Sequence, residues 1–241
     1  MKIKHLKSLN YSKKLRNNQK IQFLIIHYTG MQSARVSLER LVNLKFKVSA
    51  HYFVDRKGNI IKLVDENKIA WHAGKSKWKN KKNLNNYSIG IEVQNQGHQI
   101  RYQEFTKKQI NSLIKLIKIL KKKYKIKNYN ILGHSDIAPL RKIDPGEKFP
   151  WEMLSKKGIG LWYPKIISGK NSLQNHLKKR IFFKNIYKIG YRYFKISKEQ
   201  SSDSKIVKAF QRRFLPKEIT GKINAKTLKI SELLAKKSYF S

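Results

Sequence analysis

The sequence predicts an α/β fold, a mixed central sheet flanked by helices, with a small all-α module behind it. Three features of the chain point there. Short apolar runs such as Ile21-Gln22-Phe23-Leu24-Ile25-Ile26 and Ile89-Gly90-Ile91-Glu92-Val93 alternate with stretches of three- and four-residue hydrophobic period, the pattern of strands interleaved with helices. Forty per cent of the 241 residues are hydrophobic, enough to bury a core, so a wholly disordered chain is excluded. Beyond a composition break near Gly169 the chain resumes as amphipathic segments.

The elements follow in order. Residues 1–20 read as a polar, basic lead-in. Ile21 to His27 is a buried strand. Ser33 is a candidate N-cap for a helix whose apolar positions include Val36, Leu38, Leu41 and Val42. Ser49 to Val54 and Ile60 to Val64 read as strands joined by Asp55-Arg56-Lys57-Gly58-Asn59, a hairpin signal. Trp71 to Tyr87 reads as a long Lys/Asn-rich loop; long loops in compact domains are often functional, so this one is expected to form a groove lip. Ser88 to Gln94 is the expected central strand. Thr106 starts the clearest helix, with Ile110, Leu113, Ile114, Ile117 and Leu120 on one face and lysines on the other. Tyr129 to Leu132 is the last strand. It feeds the segment Gly133 to Gly146, whose two prolines and two glycines exclude a regular helix or a central strand. Pro150 opens a short helix that ends near Gly158. Pro164 to Asn175 suits a linker, which divides the chain into a domain over residues 1–168 and a helical module over 176–241.

The Gly133–Gly146 segment carries His134, Lys142 and Asp144, and a loop can turn His134 and Asp144 toward one point. His27 ends the first apolar strand. Two imidazoles and a carboxylate are a usual catalytic zinc set, with a fourth position left for water. Each residue alone is uninformative: a histidine ending a strand is commonly structural, and lysines are everywhere in this chain. Glu92 sits among apolar neighbours, where an unpaired carboxylate is costly. The joint pattern carries the reading.

Five blocks occur in one order: His27-Tyr28-Thr29-Gly30, Ser49-Ala50-His51-Tyr52, Ala70-Trp71-His72-Ala73-Gly74, Ser88-Ile89-Gly90-Ile91-Glu92 and the His134 to Gly146 segment, followed by Phe149-Pro150-Trp151-Glu152. Together they resemble the zinc-dependent N-acetylmuramoyl-L-alanine amidases of the amidase-2 type, relatives of the peptidoglycan-recognition proteins. The resemblance runs from Ile21 to Tyr163. It implies a Zn2+ ion held by His27, His134 and Asp144, an acid/base at Glu92 and a catalytic cation at Lys142. Some relatives use a cysteine as the third ligand; this chain has no cysteine, and Asp144 fills that place. The resemblance also puts the Ala70–Gly74 turn on the wall of the substrate groove. Trp71 and His72 are therefore expected to touch substrate, with plain packing the competing reading, and Tyr28 is counted with them as a substrate-binding residue. His51 reads as a hydrogen-bonded core residue, and His5, His98 and His176, in polar surroundings, receive no role.

The implied reaction is hydrolysis of the amide between N-acetylmuramic acid, intact or 1,6-anhydro, and L-alanine of the stem peptide, in peptidoglycan or muropeptides. The two-module layout and Gly158-Ile159-Gly160-Leu161-Trp162 resemble the AmiD-like branch of the family. Ile206 to Phe214 and Thr220 to Leu228 resemble a three-helix peptidoglycan-binding module, an aromatic-Gln helix before a Gly turn and a Thr-Leu helix. The turn is shortened and the acidic residues common there are missing, so wall binding and plain packing on the enzyme both stand. One rival is a non-catalytic peptidoglycan-recognition protein, which would lose a zinc ligand. Another is a nucleic-acid binder, for which the chain holds no reader motif.

The 55 basic residues face 14 acidic ones, a formal charge of +41. Such a surface attracts polyanions. Only ten of the basic residues are arginines, and Lys, Ile and Asn abound together; the charge reads as mostly compositional, and no specific nucleic-acid partner is expected. The basic N-terminus is followed by no apolar stretch of signal-peptide length, and neither a lipobox cysteine nor a transmembrane segment is seen. A cytoplasmic monomer is the expectation, with a periplasmic or envelope-associated location as the alternative.

Overall fold

The structure, a computed structural model, describes residues 2–14, 16, 20–164 and 174–236. Its centre is a six-stranded sheet. The strands along the chain are β1 (Ile3–His5), β2 (Tyr11–Ser12), β3 (Phe23–Tyr28), β4 (Tyr52–Val54), β5 (Ile60–Lys62), β6 (Ile69–Ala70), β7 (Lys77–Trp78), β8 (Lys81–Lys82), β9 (Ser88–Val93) and β10 (Ile131–Gly133). The helices are α1 (Ala34–Val42), α2 (Lys107–Tyr124), α3 (His134–Ile137), α4 (Trp151–Lys156), α5 (Asn175–Ile189), α6 (Asp203–Phe214) and α7 (Ala225–Lys236). The sheet order is β1-β5-β4-β9-β3-β10; β4/β5 is antiparallel and the other pairs are parallel. The sheet is thus mixed and flanked by helices, as the sequence predicts.

The hairpin turn closes through Asp55, whose N–H donates to the Asn59 carbonyl and whose carboxylate accepts the Asn59 N–H at 2.8 Å. Gly58 sits there at φ +83°, where an added Cβ would lie 2.7 Å from the Lys108 carbonyl oxygen. At the start of α2, Thr106 and Gln109 form a reciprocal capping box. One expectation is corrected at the N-terminus. Ile3–His5 and Tyr11–Ser12 within the lead-in are strands: β1 pairs with β5 at the sheet edge and β2 pairs with β6. Both strands are short and mostly polar, so they carry little hydrophobic period.

Side-chain alternation gives the central strands two different faces. Leu24 and Ile26 of β3 and Ile89, Ile91 and Val93 of β9 pack beneath Ile110, Leu113, Leu116, Ile117 and Leu120 of α2. The opposite face carries Phe23, Ile25 and His27, with register partners Ser88, Gly90 and Glu92. Burial on both sides explains why these strands read as continuous apolar runs.

The C-terminal helices cover part of that second face. Phe182, Phe183 and Ile186 of α5, Phe210 and Phe214 of α6, and Leu228 and Leu234 of α7 share one buried cluster with Phe23, Ile25, Trp78, Leu132 and Ile137. The expected linker lies largely outside the described residues. The C-terminal segment is present as a run of helices, and their apolar residues share this cluster with the sheet. Gln211, fully buried, accepts from the Gly221 N–H and donates to the Lys222 carbonyl and Thr227 hydroxyl. The aromatic-Gln motif therefore fixes the Gly turn from inside. Among the described residues no helix is long and apolar enough to cross a membrane.

Candidate metal centre and active-site cleft

At the carboxyl ends of β3 and β9 the sheet opens into a cleft of about 820 Å³. Ligand sites in open parallel sheets commonly lie outside the carboxyl ends of the strands. Its lining includes His27, Tyr28, His72, Glu92, His134, Lys142 and Asp144.

His27, His134 and Asp144 come together, all buried. The Nδ1 atoms of His27 and His134 are 2.9 Å apart, and the Asp144 Oδ2 lies 3.2 Å from the first and 3.1 Å from the second. The loop that carries the last two is closed on itself. The Ser135 N–H donates to the Asp144 carbonyl at 2.9 Å, and an added Cβ on Gly133 would lie 2.7 Å from Pro145. The loop begins with one helical turn, α3, which stops ahead of Pro139.

The other ring nitrogens determine which atoms are bare. The Ser88 hydroxyl donates to the Leu84 carbonyl at 2.6 Å, so it accepts from His72 Nε2–H at 3.3 Å. His72 Nδ1 is then an acceptor, and it receives His27 Nε2–H at 3.1 Å. His134 Nε2–H donates to the Ala73 carbonyl, also at 3.1 Å. Each imidazole carries one proton when neutral, so both Nδ1 atoms present lone pairs to each other and to the carboxylate. Only a positive charge holds that triangle together. Burial, reinforced by the neighbouring His134, lowers the His27 pKa to about 4, so His27 does not carry a second proton at neutral pH. Burial pushes Asp144 up, but contact with His134 and His27 outweighs it and holds the carboxyl far below its usual range. A tetrahedral ion with bonds of about 2.0 Å keeps its ligand atoms about 3.3 Å apart, close to the spacings present. The residues fit a metal ion of the zinc type.

Glu92 is the register partner of His27. Its Oε2 is buried with no hydrogen-bond partner among the described residues. Burial raises its pKa well above the usual value, Asp144 adds to the rise, and Lys142 opposes it. Lys142, half-buried, lines the same cleft.

Of the expected substrate contacts, Tyr28 lines the cleft and its hydroxyl donates to His98 Nδ1 at 3.0 Å. Burial lifts the Tyr28 pKa to about 12. His72 reaches the cleft but is only 6% exposed, and its ring hydrogen bonds go to His27 and Ser88. A side chain on Gly90 would collide with that ring. Trp71 is not in the cleft lining; its indole N–H donates to the Ser12 hydroxyl. His51 is the core residue expected, accepting the Gly90 N–H and donating to the Lys68 carbonyl. The sequence reading missed His98, which lines the cleft, stacks on Tyr102 at 4.1 Å and hydrogen-bonds Glu147. Its place just after the end of a site-bearing strand was the available signal.

Fold and cleft together define an α/β protein with a buried cluster of two imidazoles and a carboxylate that could hold one metal ion, beside a buried acid. The chain belongs to the N-acetylmuramoyl-L-alanine amidase family of the amidase-2 type, which its residues 17–147 match. It is 35% identical over 235 residues to the N-acetylmuramoyl-L-alanine amidase AmiD of Escherichia coli K12, covering 90% of this chain and 83% of that protein. The structure of E. coli AmiD with the substrate anhydro-N-acetylmuramic acid-L-Ala-D-gamma-Glu-L-Lys superposes with a TM-score of 0.81 at 30% identity, covering 95% of this chain and 93% of the other. AmpDh3 of Pseudomonas aeruginosa gives 0.80 at 28% identity, covering 95% and 96%.

Proposed function

We propose that the protein hydrolyses the amide bond between N-acetylmuramic acid, intact or 1,6-anhydro, and L-alanine of peptidoglycan or muropeptides, with zinc held by His27, His134 and Asp144. The observation that carries the reading is the triangle of bare donor atoms, buried beside an unpartnered carboxylic acid. Bound zinc supplies Lewis acidity and brings the pKa of water to near 7. Glu92 serves as the acid/base. Its buried position favours the protonated form it needs to protonate the leaving amine, and a cation at the neighbouring site shifts it back toward the carboxylate that accepts a proton. Lys142 stabilises negative charge developing on the scissile carbonyl oxygen. Tyr28 forms part of the wall against which the substrate rests. The relatives support the substrate: AmiD bears the amidase name and was solved with an anhydro-muramyl peptide.

The test is elemental analysis of the purified protein, with digestion of muropeptides that carry or lack the anhydro end, followed by mass spectrometry. Stem peptides with a free L-alanine amine are expected from both. The His27→Ala/His134→Ala variant is expected to lose zinc and turnover while keeping its far-UV circular dichroism. Full zinc occupancy in that variant, or no peptide release by the parent, would overturn the assignment.

A further inference from the structure

Two residues after His134 lies Asp136, a carboxylate only 1% exposed. Two of its partners come from the C-terminal segment, Tyr191 just after α5 and Arg213 on α6. Oδ1 accepts the Tyr191 hydroxyl at 2.5 Å. Oδ2 accepts the Gly133 N–H at 2.8 Å and an ion pair from Arg213 Nη1. The other prong, Arg213 Nη2, donates to the Ile131 carbonyl at 3.1 Å. One guanidinium of α6 thus spans residues 131 to 136, with the ligand His134 between its two contacts.

We propose that Arg213 and Tyr191, both beyond the family match, are positioning residues for the metal site: through Asp136 they set the turn that aims His134. The inference rests on the reading that His27, His134 and Asp144 hold zinc. A turn as short as α3 does not hold its own conformation, because helix nucleation fixes several residues for one hydrogen bond. Here that bond is Ala138 N–H to the His134 carbonyl. The shape must come from outside, and Asp136 is where outside contacts attach. Those contacts are themselves fixed. Arg213 lies over the Trp151 ring at 4.1 Å. Tyr191 is fully buried and meets Trp78 edge-on at 4.9 Å. The second loop ligand moves with the first, since Ser135 is bonded to Asp144 and Pro145 abuts Gly133. His27, on β3, is held independently by the sheet.

The experiment measures the zinc dissociation constant of the full chain by competition with a chromophoric chelator. Tyr191→Phe removes one hydroxyl. Arg213→Met made together with Asp136→Asn removes the ion pair without stranding a buried charge. Supporting partners behind metal ligands typically change affinity about 10- to 100-fold, and both variants are expected to bind zinc at least about tenfold more weakly. Leu234→Ala, a buried core truncation on α7, is the control: it is expected to lower the melting temperature of the metal-free protein with zinc affinity unchanged. If both clamp variants keep parental affinity, or if the control weakens zinc as much as they do, the positioning role is refuted. A parent that binds no zinc would refute the metal reading itself.

Discussion

Replacing His72 with alanine separates two roles for that residue, substrate contact and support of the metal ligand. In the parent, His72 Nδ1 accepts His27 Nε2–H, and the Ser88 hydroxyl fixes the His72 tautomer. His27 is 1% exposed, so the alanine variant leaves its N–H buried with no acceptor. An unsatisfied buried donor costs about 1–3 kcal/mol. The relay that keeps Nδ1 bare is lost as well, and His27 can shift its proton to the atom that faces the metal. With about 1.4 kcal/mol per tenfold change, zinc affinity is expected to fall roughly 5- to 150-fold. His72→Asn offers an amide oxygen near the same place and is expected to recover part of the loss. The assay is chelator competition, paired with muropeptide kinetics at saturating zinc. Unchanged zinc affinity in His72→Ala, with activity falling through KM alone, would refute the relay and restore substrate contact as the role of this side chain.

Two further outcomes are expected. Glu92→Gln is expected to retain zinc and lose about 100- to 10,000-fold in turnover, measured on a soluble muropeptide. It is also expected to stabilise the metal-free protein. The Glu92 pKa is raised on folding, chiefly by burial. The unfolded chain therefore loses its proton first as pH rises past about 4.3, and the parent loses stability from there upward while the glutamine variant does not. Urea denaturation at neutral pH and near pH 4 checks the sign: the gain is expected at neutral pH and should vanish at the lower pH, and a variant less stable than the parent at neutral pH contradicts the assignment. Ending the chain at residue 168 uncovers Phe23, Ile25, Trp78, Leu132 and Ile137, each at most 3% exposed in the full chain. At about 1.5–3 kcal/mol per fully buried side chain, the loss is roughly 7–15 kcal/mol, comparable to the whole stability of a domain. The shortened chain is expected to be unfolded or insoluble by circular dichroism; a cooperative melt with bound zinc would show the sheet to be independent of the helices.

The candidate zinc ligands were legible because their chemistry is written in rare residues at telling places: a histidine closing an apolar strand, and a histidine and an aspartate in one Pro/Gly-rich loop. Glu92 was legible as an anomaly, a carboxylate inside an apolar strand. The hairpin and α2 followed from turn chemistry and period. What the sequence concealed was pairing. β1 and β2 are too short to show a period, and they exist because partners on β5 and β6 await them. His72 reads like a groove residue until its ring is seen on Gly90 with both nitrogens engaged. Asp136, Arg213 and Tyr191 are distant in sequence, and no local pattern marks a carboxylate whose partners lie 55 and 77 residues away. The helical tail shows an amphipathic pattern whether it packs on itself or on the sheet, since period reports a buried face and not what buries it.

The same alternation explains why core and site are inseparable here. Along one face of β3 the positions are Phe23, Ile25 and His27, and along β9 they are Ser88, Gly90 and Glu92. Two steps along β3 thus take the chain from Ile25, buried in the cluster of α5–α7, to His27 in the cleft. Phe23 and Ile25 need an apolar cover, and the helices provide it. His27 and Glu92 need a low-dielectric wall on one side and access on the other, because burial is what lowers the pKa of the imidazole and raises that of the acid. Tyr191 and Arg213 stand at the junction, where the helices touch both the apolar cluster and the turn of His134. Removing the helices would therefore change the dielectric around the site as well as the support of one ligand, even if the strands stayed paired.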